Sequence, residues 1–106
     1  MSTDQLLTGI EAPLSDHVRV FCERHAIMGD LEKAIELARD CFSIVGIPHV
    51  RFEQDPEDGS SYVVLEVKVQ GDENDCAESH MRYMSTWANS VGWPEVHLIR
   101  LIYDIV

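Results

Sequence analysis

The 106-residue sequence is poor in positive charge: Lys and Arg number 8 against 19 Asp and Glu, a formal net charge of −11. Phosphate backbones and anionic membrane surfaces are held by clustered Lys and Arg, so this deficit argues against nucleic-acid and membrane partners. Apolar runs are short as well. No window approaches the ~18 consecutive apolar residues of a spanning helix, and Met1–Pro13 holds no Lys, no Arg and no apolar stretch of signal-peptide length. Cysteine is scarce and odd in number: Cys22, Cys41 and Cys76 fall in no CxxC or secreted-domain spacing. Free thiols in a reducing, cytoplasmic setting are the expectation. There is no G-x-S-x-G, no H-E-x-x-H, no phosphate-cradling glycine loop and no kinase signature. Nothing therefore marks a catalytic residue, a cofactor site or a metal site, and a non-enzymatic role is expected. No residue pattern carries a resemblance to a named family.

What is present is the composition of a folded protein, 45% hydrophobic and 25% charged, and the length of one domain. The domain is expected to span residues 1–106, with 1–14 a loosely ordered N-terminal segment that holds Leu6, Leu7 and Ile10 before Pro13. Ser15 or Asp16 is a ready N-cap, because each offers an oxygen to an orphan backbone N–H. Val18, Phe21, Cys22 and His25 then recur at helical spacing; a strand with Val18, Val20 and Cys22 on one side competes, and helix is preferred. A second helix is predicted over Asp30–Val45, with Leu31, Ala34, Ile35, Ala38, Phe42 and Val45 inward, Gly46 ending it in the left-handed region and Pro48 barring continuation.

Strand periodicity follows. His49–Gln54 and Ser61–Gln70 flank the turn Asp55-Pro-Glu-Asp-Gly59, which predicts an antiparallel hairpin. Val63, Leu65, Val67 and Val69 share one face. Asp72–Asp75 opens a third helix, where Asp75 and Glu78 resemble a capping box. Ala77, His80, Met81, Met84, Trp87, Ala88 and Val91 form its apolar face, and Gly92 and Pro94 close it. Trp93 is expected to cap the core. Val96–Val106 reads as the last strand. The fold expected is α+β in the order ααββαβ: a three-stranded, mainly antiparallel sheet of order 2-1-3, with helices packed on one face.

Helices on one side leave the other face open. The residues expected there include Arg51, Tyr62, Val64, Lys68, Leu98, Arg100 and Ile102, a set rich enough in apolar groups to be an interface rather than only a solvated face. Two chemical alternatives arise. Cys22 with His25 and Cys76 with His80 each share a helical face, but neither has the spacing of a structural zinc motif, and buried cysteine is more often inert packing. The acidic clusters at 55–59 and 72–75 lack the ligand alternation of a calcium loop. The function expected is a small acidic protein-interaction or regulatory module that self-associates, as a homodimer or other homo-oligomer, through its sheet face or edge. A basic protein is the partner its charge suits. The alternative is a small-molecule-binding protein or enzyme with a helix–sheet pocket formed by Cys76, His80, Trp87 and Tyr103.

Overall fold

The computed structural model describes residues 15–91 and 97–106. Among them the element order is α1 (Asp16–Arg24), α2 (Met28–Cys41), β1 (Ser43–Gln54), β2 (Ser61–Gln70), α3 (Glu73–Ser90) and β3 (Ile99–Ile105), an α+β arrangement in the expected ααββαβ order. The expectations for residues 1–14, for Gly92, Trp93 and Pro94, and for the start of the last strand at Val96 lie outside the described residues.

Residues 16–24 form a helix and not the competing strand. Ser15 is its N-cap, its Oγ accepting from the Val18 N–H at 3.3 Å. Val18, Phe21 and Cys22 turn inward. The helix ends in a Schellman motif: Ala26 N–H donates to the Glu23 carbonyl at 3.2 Å and Ile27 N–H to the Cys22 carbonyl at 2.9 Å, with Ala26 left-handed at φ 55. Buried Ile27 then becomes the N-cap of α2 without a side-chain hydrogen bond. The second helix therefore opens at Met28, ahead of Asp30. Asp30 still lies in the first turn, where its charge meets the positive end of the helix dipole.

The predicted end of this helix at Val45 is corrected to Cys41. Phe42 is already extended, at φ −119 and ψ 153. Arg82 of α3 donates to the Cys41 carbonyl at 3.0 Å, satisfying a last-turn acceptor from outside the helix. Ile44, Val45 and Ile47 enter β1, because β-branched side chains fit a pleated strand better than a helical turn. Gly46, at φ 79, is no helix cap; it lies inside the register irregularity between Val45 and His49, and with Pro48 it makes β1 bulge.

The expected 2-1-3 sheet order is also corrected. The sheet is β1-β2-β3, with β1 antiparallel and β3 parallel to the central β2. Burial gives the reason. Val63, Leu65, Val67 and Val69 are buried on one face, and Val64 on the other is buried too. A strand apolar on both faces belongs in the middle, whereas bulged, proline-bearing β1 suits an edge. β2 and β3 are then joined through α3, the kind of long connection a parallel pair requires.

The third helix is turned about its axis relative to expectation. Its N-cap is Asp72, whose Oδ1 accepts from Asp75 N–H at 2.8 Å, in place of the Asp75–Glu78 box. Cys76, Tyr83 and Trp87 point inward, joined by Val91 just beyond the helix. Met81 and Met84, expected in the core, are 72% and 46% exposed.

Candidate functional site

The open face of the sheet is built in rows that the register fixes. Arg51 lies beside Val64, which lies beside Arg100; His49, Glu66 and Ile102 make the next row, and Val45, Lys68 and Asp104 the one after. On the β1 side the charges satisfy one another. Arg51 Nε donates to Glu53 at 2.8 Å and its Nη1 pairs with Glu66, two carboxylates that hold the guanidinium even more firmly protonated than usual. Arg100 lies 3.8 Å over the Tyr62 ring and donates to the His97 carbonyl at 3.2 Å. Val64, between Arg51 and Arg100 in register, is buried. Leu98, assigned by sequence to this face, precedes β3 and packs half-buried against the core. The sequence-derived set thus divides: Arg51, Tyr62, Val64 and Arg100 form a self-satisfied centre, while Ile102 and Lys68 lie in the two rows that follow.

The two sheet edges differ in kind. β1 is bulged at 45–49 and carries Pro48, features that obstruct pairing. β3 pairs with β2 in an unbroken register from Ile99 to Ile105. Val63 N–H donates to the Leu98 carbonyl at 2.8 Å, and Val106 N–H to the Val69 carbonyl at 3.0 Å. In a parallel ladder alternate residues bond to the same neighbour, so the even-numbered residues of β3 face β2. Ile99, Leu101, Tyr103 and Ile105 direct their N–H and C=O groups outward. Among the described residues no strand pairs with that edge.

Beside this edge lies the outer flank of α3. Arg82, bonded to Cys41, marks the side facing α2. At about 100° per residue, Ala77, His80, Met81, Met84 and Ala88 fall on the opposite flank. His80 and Met84 line a cleft of about 520 Å³ together with Tyr83, His97, Ile99, Arg100 and Leu101. Of the residues proposed from sequence as a pocket, His80 and Tyr103 meet, with ring centroids 5.2 Å apart. Cys76 and Trp87 do not line the cleft: both are buried in the core, where Trp87 stacks on Tyr83 at 6.2 Å. Tyr83 has a buried hydroxyl with no hydrogen-bond partner among the described residues, and burial pushes its phenol pKa up.

Other constellations separate in space. Cys22 is buried and its thiol is pushed up to about 11, first by burial and then by neighbouring Glu23, while His25 is exposed against Phe21. The 55–59 acids hold their own turn, Asp55 accepting from Glu57 N–H and Asp58 from Ser60 N–H, each at 2.8 Å. Among the described residues no three His, Cys, Asp or Glu converge on a cation position. Sequence reasoning missed a second cleft, of about 520 Å³, in which His17, Val20 and Phe21 of α1 and its C-cap His25 face Phe52 and Ser61. His17, Phe21 and His25 recur every four residues, a signal readable in advance; the opposing Phe52 was not.

Comparison with protein-family models gave no match, and neither characterised proteins nor solved structures gave one. The fold class, read from the structure itself, is α+β with a mixed three-stranded sheet. No helix among the described residues is long and apolar enough to cross a membrane.

Proposed function

We propose that this protein is a small acidic interaction module of the cytoplasm that binds protein partners by accepting a strand along the outer edge of β3. The observation that carries this reading is the asymmetry of the edges: β1 is bulged and β3 regular, with exposed Ile102, Ile105 and Met84 beside it. Strand addition draws its affinity from main-chain hydrogen bonds and its selectivity from adjoining side chains. The net charge of −11 favours encounter with basic proteins. Three free, buried cysteines fit a reducing compartment.

The test uses a substitution at an outward-facing donor. Ile105→Pro removes an edge N–H without removing a β2–β3 bond. Baits of wild type and Ile105→Pro are passed through extract of the source cells at low and high salt. Basic proteins retained by wild type, released by salt and lost by Ile105→Pro, with slowed amide exchange at Leu101 and Tyr103 in the complex, are the expected result. Equal retention by both baits overturns the reading.

The cleft containing His80, His97 and Arg100 supports a second reading, a small-molecule site or enzyme at the same margin. A ligand that raises the melting temperature of wild type but not of His80→Ala would favour it.

A further inference from the structure

The β3 segment Ile99-Arg-Leu-Ile-Tyr-Asp-Ile105 is symmetric in chemical type about Ile102. Apolar residues stand at both ends and at the centre, bulky apolar or aromatic groups flank the centre, and one base balances one acid. We propose that a second copy of the chain occupies the β3 edge, antiparallel, in the single register that places Ile102 on the two-fold axis; this rests on the reading of β3 as the binding edge.

In that register Arg100 faces Asp104 of the partner, and Asp104 faces the partner's Arg100. Leu101 meets Tyr103, and Ile99 meets Ile105. These odd-numbered residues are the ones whose N–H and C=O groups point outward, so the opposed pairs exchange main-chain bonds. Shifting the register by one residue sets core-facing side chains against open-face ones and mispairs the outward N–H and C=O groups. Shifting by two separates both charge pairs: Arg100 then faces Ile102, or Asp104 does. Only the Ile102-centred arrangement satisfies charge and pleat together. It is isologous and therefore closes.

The flank of α3 gives an independent reason for a second copy. With the axis normal to the sheet, both copies carry their helices on one face of a continuous six-stranded sheet. Each α3 then presents its outer flank to the other. Met81 and Met84, at 72% and 46% exposure, and half-buried His80 lie on that flank. Charge points the same way. In a molecule of net charge −11, the strand from Ile99 to Ile105 is neutral, with Arg100 and Asp104 its only charges.

Sedimentation and a charge-swap series test the register. Wild type is expected to be a dimer; a wild-type monomer at millimolar concentration overturns the proposal and leaves edge binding of other proteins to be judged by the bait experiment. R100D and D104R each set like charges opposite one another at both ends and are expected to weaken the dimer about tenfold or more. Mixed in equal amounts, the two variants restore both opposite-charge pairs and should form a heterodimer. The mixture also controls for loss of the Arg100–Tyr62 contact, which mixing does not repair. No heterodimer on mixing overturns the register. I102C supplies a second readout. Its Cα atoms would face across the axis at about 4.5 Å, within disulfide reach, and the three native thiols are buried. Rapid oxidation of I102C to a covalent dimer, with H49C remaining monomeric, is expected; equal cross-linking of the two overturns it.

Discussion

β1 and β3 are both edge strands of one sheet, lying on either side of β2, yet their chemistry differs. β1 interrupts its own ladder with Gly46 and Pro48 and binds its Arg51 to two carboxylates. β3 is regular, with a single base and a single acid on its open face. The first arrangement suits a strand that terminates a sheet in water; the second suits one that continues it. The lesson is that an edge is defined less by having one neighbour than by whether its backbone is left straight enough to take another.

The largest test of this contrast concerns what lies beneath each side. Trp87, buried on α3, stacks on Tyr83, which lines the β3 margin with Ile99 and Leu101; half-buried Phe52 supports β1 against Phe21, with ring centroids 5.5 Å apart. Trp87→Ala should cost about 3–5 kcal/mol in urea unfolding and abolish association, and Phe52→Ala roughly half that cost without affecting association. Equal effects on association would erase the difference between the sides. Next is Gly46→Val. No atom lies within 4 Å of an added Cβ, so the cost comes from the positive φ alone, about 1–2 kcal/mol. If chemical denaturation shows no loss, the bulge that distinguishes β1 is not built as described.

Smaller effects separate the two arginines. Arg51→Ala breaks exposed ion pairs and should cost at most about 1 kcal/mol, leaving the oligomeric state unchanged. Arg100→Ala should shift sedimentation toward monomer. The smallest effect lies at the hairpin tip. Hydrogen bonds from Ser60 hold the Asp58 carboxyl below its usual range. A depressed carboxyl pKa contributes stability at pH above the ordinary carboxylate range and loses it as pH falls through the folded value. Asp58→Asn should therefore lessen acid sensitivity slightly in pH-dependent melting, with no change in association.

How much was legible in advance follows from the range of each signal. Helix and strand types came through because periodicity is local: the Leu31–Ala38 stripe and the Val63–Val69 alternation need no knowledge of the rest of the chain. The end of α2 did not, because Phe42 and Val45 satisfy helical spacing while the residues around them prefer a strand, and the carbonyl left at Cys41 is capped by Arg82, 41 residues later. Leu98 was misplaced on the open face because alternation was continued past the true start of β3. The apolar face expected for α3 is centred to one side of the true one, leaving out buried Cys76 and Tyr83 and taking in exposed Met81 and Met84, for a different reason. Spacing sets Tyr83, Trp87, Met84 and Met81 along an arc of about 160°, but does not report which part the core takes.

The excess of acid, the lack of a spanning segment, the ααββαβ order and the symmetric Ile99–Ile105 segment are properties of the chain as written, since each depends on composition or near neighbours. The central place of β2, the bulge that guards β1, and the turn of α3 that leaves two methionines beside a straight edge arise only when the core closes. Each is settled by competition for one buried volume, and the residues that won it at α3, Tyr83 and Trp87, are the largest fully buried side chains among the described residues.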